Sequence, residues 1–228
     1  FKGPIHCTHP TIELTEIILK DSAKIQEEDA ERANSHAYAK HEKALPLYTV
    51  KDVEETMKLF VGHNFGEWVI LSDEFKFALF NNGHILGSAL VDLRVDEKKI
   101  IFSGDLGRTK PMLLYPPKKM EEADYLILES TYGDRLHRES DIKVELLKVI
   151  EEAYASKGIL MIPSFAVERT QELMYLLYQL KEEESLPNIP IYLDSPMGIN
   201  STKVYEHYKE WQNLSSYILN HMFDVVHY

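Results

Sequence analysis

His84, Asp105 and Glu129 are the side chains in this sequence whose types and spacing suggest joint chemistry. Each stands where a strand-like run gives out: His84 in "NNGHILGSALVDL", Asp105 in "IIFSGDLGR", Glu129 in "YLILESTYGDR". Glycines beside the first two let backbone approach closely whatever the side chains hold. If these runs are neighbours in one sheet, a ring nitrogen and two carboxylates converge on one rim. A nitrogen donor beside hard carboxylates suits zinc, manganese or iron. Singly, each residue reads better as a turn or cap residue. The weight lies in the ordered series, Gly-His-x-x-Gly-Ser-Ala, Ser-Gly-Asp-x-Gly-Arg and Glu-Ser-Thr-Tyr-Gly, with His84, Asp105 and Glu129 at intervals of 21 and 24 residues.

The elements that must position these residues follow from periodicity. Residues 11–44 are rich in helix formers, and Leu14, Ile17, Ile18 and Ile25 space one buried helical face. Residues 49–60 predict a second helix, with Thr49 or Asp52 as its cap. Then the texture changes. "EWVILSD", "FKFALFNN", "SALVDLRVDE", "KKIIFSGD" and "DYLILEST" are short strand-like runs with short links, the pattern of an antiparallel or mixed sheet. From about residue 139 helix and strand alternate. Residues 139–156 and 166–184 predict helices, and "GILMIPS" (158–164) and "IPIYLDS" (189–195) predict strands of a parallel sheet. The change of texture places a domain boundary near 134–140.

Bulk properties narrow the class. The chain of 228 residues is long enough for one large domain or two small ones, and its opening on Phe1 and close on Tyr228 suggest a piece of a longer protein. Its one cysteine, Cys7, excludes an internal disulfide framework and a thiolate-rich zinc site, and points to a cytoplasmic location. No apolar run approaches the ~18 residues of a membrane span, so no membrane partner is expected. A net charge of −12 argues against coating nucleic acid through broad electrostatics. It leaves room for a nuclease, because a metal centre and a few local cations can hold a phosphodiester inside an acidic protein.

These segments together resemble the metallo-β-lactamase fold, and within it the β-CASP branch of nucleic-acid-processing proteins. "GHILGSA" is similar to the motif whose histidine binds one metal, and "FSGDLGR" to the motif whose aspartate bridges two. "LESTYGDR" resembles the acidic motif that opens the β-CASP cassette, and "IPSFAVERTQELMYLL" with "IYLDSPMGINSTKVY" resembles the start of that cassette in RNA-directed members. "GPIHCTHPT" resembles the segment that follows the family's His-x-His-x-Asp-His motif, which is itself absent and expected upstream of Phe1. The later histidine motifs are expected beyond Tyr228. The resemblance runs from residue 1 to about 206.

What the resemblance implies is an α/β chain. Residues 1–135 would form an incomplete metallo-β-lactamase-like four-layer sandwich, and 136–228 the start of a parallel α/β β-CASP domain. It implies two divalent metal ions, zinc with manganese as the alternative. Asp105 would bridge them and His84 would hold one. Glu129 would be a catalytic residue rather than a ligand, hydrogen-bonding a downstream histidine that protonates the leaving oxygen. The full protein would be a metal-dependent ribonuclease clamping single-stranded RNA, with Phe165 and Tyr132 as stacking platforms. Residues 1–228 alone would bind metal poorly and be inactive, and an uncovered apolar face would favour a homo-oligomer. Two alternatives stay open: a non-catalytic β-CASP scaffold binding RNA or protein, and a small-molecule hydrolase of the same fold.

The remaining chemical side chains have blander readings. His6, Cys7 and His9 cluster in "HCTHP" without a matching partner set, and the family keeps no ligand there. His137 follows the acidic motif and reads as a loop-orienting residue. Ser164, Asp194 and Ser195 lack a Gly-x-Ser-x-Gly elbow and read as strand-end caps. Arg108, Arg135 and Arg169 follow motif loops, and contact with phosphate and plain solvation fit each equally.

Overall fold

Two sheets organise the first half of the chain in a computed structural model that describes residues 1–36, 43–136 and 140–228. The smaller joins β1 (Ile5–Thr8) to β2 (Phe60–His63) in parallel, with Thr8 opposite His63. A parallel pair needs a long crossover, and α1 (His9–Ser35) and α2 (Val50–Met57) supply it. Pro10 falls in the first turn of α1, where its missing N–H leaves no bond unmade. Thr49 and Asp52 form a reciprocal capping box at the start of α2. Residues 37–42 lie outside the described residues, and with them part of the helix predicted over 11–44. The helix predicted over 49–60 stops at Met57, because Phe60 onward pairs with β1; ladder bonds override helical propensity there.

The larger sheet has the order β3 (Trp68–Ile70), β4 (Phe75–Asn81), β5 (Ala89–Val95), β6 (Lys98–Phe102) and β7 (Tyr125–Ile127). Neighbours are antiparallel except β6 and β7, which are parallel. This register decides where the loops go. β4 and β6 both run against β5, and β7 runs with β6, so the loops after β4, β6 and β7 leave from one edge. Those loops carry His84, Asp105 and Glu129.

The second half is helical: α3 (Ile142–Ala155), α4 (Arg169–Glu182), α5 (Pro196–His207) and α6 (Ser216–His221), with short 3₁₀ turns at Lys209–Trp211 and Met222–Val225. The apolar run 158–164 forms no strand, and Ile159 and Met161 are 92% and 82% exposed. A strand exists only through a neighbouring strand's N–H and C=O groups, and among the described residues this run pairs with no strand; its Gly158 N–H goes back to Ala153 O at the end of α3. Residues 189–195 go a little further. Leu193 N donates to His227 O and His227 N to Ile191 O, a single parallel bridge. The chain is therefore mixed α/β, and in its second half the predicted helices form while the predicted parallel strands do not.

One apolar cluster joins the halves. Leu14 of α1, Leu86 of the His84 loop, and Leu113 and Leu114 pack with Met174, Leu177 and Leu180 of α4, Val204 and Tyr205 of α5, and Phe223. Phe65, just past β2, stacks on Trp211 with ring centres 4.4 Å apart. Glu13 of α1 accepts from the Tyr208 hydroxyl at 2.7 Å and lies 3.2 Å from His207 Nδ1. No helix among the described residues is long and apolar enough to cross a membrane.

Candidate functional site

Two buried polar residues draw the three loops together. Asn82, the residue after β4, donates through Nδ2 to Ser103 O at 3.2 Å, and its Oδ1 accepts from His84 N and from the Ser88 hydroxyl. Its backbone oxygen accepts from Gly107 N at 2.9 Å. Ser103, the residue after β6, donates through backbone N to Ile127 O in β7, and its hydroxyl accepts from Glu129 N at 3.0 Å. Asn82 thus ties the His84 loop to the Asp105 loop, and Ser103 ties the Asp105 loop to Glu129. Two glycines permit this. Gly83 has φ +68°, where a side chain would also strike Pro117, and a Cβ on Gly107 would sit 1.8 Å from Gly83 O.

The predicted residues meet on this scaffold. His84 Nε2 lies 3.9 Å from Asp105 Oδ2, with both groups facing solvent. Glu129 accepts from Thr131 N at 2.8 Å and from Leu106 N at 3.4 Å. The Thr131 amide, with Leu106 N–H and the nearby His84 ring, holds the Glu129 carboxyl below the usual range. It is therefore ionised at neutral pH and available as an acceptor.

The donor types suit a zinc or manganese ion, with one imidazole nitrogen and one carboxylate converging. They make only part of a cage. Among the described residues no group of three or more His, Cys, Asp or Glu side chains could hold a metal.

The other candidates lie elsewhere. His6 Nδ1 and His63 Nε2 are 2.8 Å apart, so one ring donates to the other across β1 and β2. Burial pushes the Cys7 thiol up to about 11, which keeps it a thiol. Ser195 accepts from Gly198 N and caps α5 rather than a strand, and Ser164 exchanges a weak bond with Thr170. Arg169 pairs with Glu172 at 2.7 Å, Arg135 lies over the Tyr132 ring and pairs with Asp134, and Arg108 is exposed. Phe165 is 84% exposed. His137 lies outside the described residues. Sequence reasoning missed Asn82, Ser103 and Ser88, whose roles rest on contacts across the sheet edge. The paired Asn81-Asn82 at a strand end was the available signal, since Asn favours such turns.

Comparison with known proteins converges on the same fold. Residues 170–228 match the Beta-Casp domain, and the upstream motif loops stand in the order and at the sheet edge described above. The chain is thus similar to β-CASP proteins, with the Beta-Casp domain itself matched over residues 170–228. It is 35% identical over 206 residues to Ribonuclease TTHA0252 of Thermus thermophilus, covering 90% of this chain and 43% of that protein. It is 32% identical over 213 residues to an RNase J-like protein of Methanocaldococcus jannaschii, covering 92% and 46%. It is 32% identical over 217 residues to transcription termination factor FttA of the same organism, covering 92% and 32%. The chain spans less than half the length of each of these relatives. The β-CASP match begins at Thr170, inside α4, so α5 and α6 belong to the matched domain while all three motif loops precede it.

Proposed function

We propose that the full protein is a metal-dependent ribonuclease whose site is built on this rim. Relatives named ribonuclease and RNase J-like protein support the reading. The observation that carries it is the 3.9 Å approach of His84 to Asp105 at the edge where Glu129 is also tied. His84 and Asp105 would be metal ligands, Asp105 shared between two ions. The ions, zinc or manganese, would supply an activated water and neutralise charge on the phosphoryl oxygens. Glu129, held ionised by backbone amides, would accept a hydrogen bond from a histidine that the family resemblance places beyond Tyr228 and keep its proton directed at the leaving oxygen. Asn82, Ser103 and Gly107 fix the spacing of the loops that carry these groups.

The substrate in this reading is single-stranded RNA, with exposed Phe165 as a platform for unstacked bases; the other expected platform, Tyr132, already carries Arg135 over its ring. The domain boundary falls near residue 135, with 1–135 carrying the ligands and 136–228 opening the β-CASP unit. A cytoplasmic location and self-association belong to the same proposal.

The test is Asp105→Asn in the full-length protein. The swap keeps volume and removes the charge, so folding should be retained. RNA cleavage should fall by more than the ~10–100-fold that loss of an outer hydrogen bond to a metal ligand costs. Near wild-type cleavage with metal content unchanged would contradict the assignment.

A further inference from the structure

Leu86 follows His84 by two residues and is buried against the helical half of the chain. Its backbone N–H points to the Tyr205 hydroxyl of α5, 3.4 Å away. That hydroxyl is fully enclosed and donates to Glu168 Oε2. Glu168 stands just before α4 with φ 67°, a left-handed backbone that long side chains rarely adopt. Its position is that of a helix cap, yet its side chain caps nothing and turns to Tyr205 instead. Such a conformation persists only where its surroundings over-determine it.

We propose that Glu168 and Tyr205 form a clamp on the backbone of the His84 loop and are positioning residues for the metal-binding rim. The loop is braced from within by Asn82 and Ser88. Thr8 at the end of β1 and Thr11 in α1 both donate to Gly87 O. The clamp adds a hold from α5, the helix that lies inside the matched Beta-Casp residues. It is a direct mechanical connection between that unit and His84: a shift of α5 relative to the sheet pulls on Leu86. Gln171 and Thr202, bonded at 2.9 Å, keep α4 and α5 moving together.

The clamp tolerates an uncharged carboxyl. Burial, then the nearby Glu172, push Glu168 up to about 8 against the lowering pull of Tyr205, Leu86 N–H and Arg169. At neutral pH the group is largely protonated, so glutamine is a fair mimic and leucine is not.

The inference rests on the ribonuclease reading for its activity readout, so a second readout is independent of it. In full-length protein, kcat and KM are measured on a labelled single-stranded RNA, and hydrogen exchange is followed in peptides covering residues 83–88. Tyr205→Phe and Glu168→Leu should lower kcat by ~10–100-fold with KM unchanged and speed exchange in 83–88. Glu168→Gln should retain wild-type values for both. Wild-type kcat and exchange in Tyr205→Phe, or glutamine as damaging as leucine, would overturn the clamp. Faster exchange in Tyr205→Phe than in wild type, when the wild-type protein itself cleaves no RNA, would support the clamp and sink the ribonuclease reading.

Discussion

Glu168 shows how one side chain ties stability to pH. Its folded pKa of about 8 lies above the ordinary 4.5, so the folded chain keeps a proton that the unfolded chain releases. The sign follows: stability at this site is complete below 4.5 and declines as pH rises towards about 8. Glu168→Gln removes the titrating group, and urea midpoints taken across that range should fall less steeply in the variant than in wild type. An equal slope in both would show that Glu168 is not the group responsible. At this scale the rim was legible in the sequence and the clamp was not. His84, Asp105 and Glu129 each end a run of recognisable period, so their placement needs only sheet order. Glu168, just before α4, and Tyr205, in α5, are 37 residues apart, and nothing in local pattern brings them together.

At the scale of elements, the rim depends on how closely two loops approach. Gly107 has backbone atoms, not flexible side chains, where a Cβ would go: Gly83 O at 1.8 Å and His84 N at 2.6 Å. Gly107→Ala must push the Asp105 loop away from the His84 loop, a cost of at least the ~1–3 kcal/mol typical of overpacking. A lower melting temperature together with weaker metal binding in the full-length protein is the expected result. Unchanged melting would mean that the loops are not held at this spacing in solution. Several elements were legible: the five strands of the larger sheet showed as short runs bounded by turn residues, and α2 showed its capping box. β1 and β2 were not, because strands of four residues carry too little pattern and their pairing partner is over 50 residues away. Residues 158–164 misled in the other direction. Seven mostly apolar residues look like a buried strand whether or not a neighbour exists to complete it.

For the whole molecule, the proposed boundary near 135 separates two units that share apolar side chains where they meet. Leu180 of α4 is 2% exposed in the same cluster as Leu14 and Leu86. Leu180→Ala should cost ~2–5 kcal/mol and shift a single unfolding transition of this chain, followed by circular dichroism in the far and near ultraviolet. Two separated transitions, with the first half unmoved, would show that the halves fold independently. The alternation of textures suggested two units and gave no sign of the apolar cluster that joins the halves, since a shared core depends on which apolar faces dock. The chain's two tryptophans are placed to report that docking. Trp68 stands on the edge strand β3 with Lys76 and Arg94 near its ring, 5.2 and 5.6 Å from it, and is partly open to water. Trp211, in the helical half, is instead pressed against Phe65 from the sheet half. Its indole emission should therefore red-shift once the halves part, while Trp68, already partly open to water, should shift less. The protein carries its own fluorescent gauge of whether the His84–Asp105 rim and the helices matched to the Beta-Casp domain are in register.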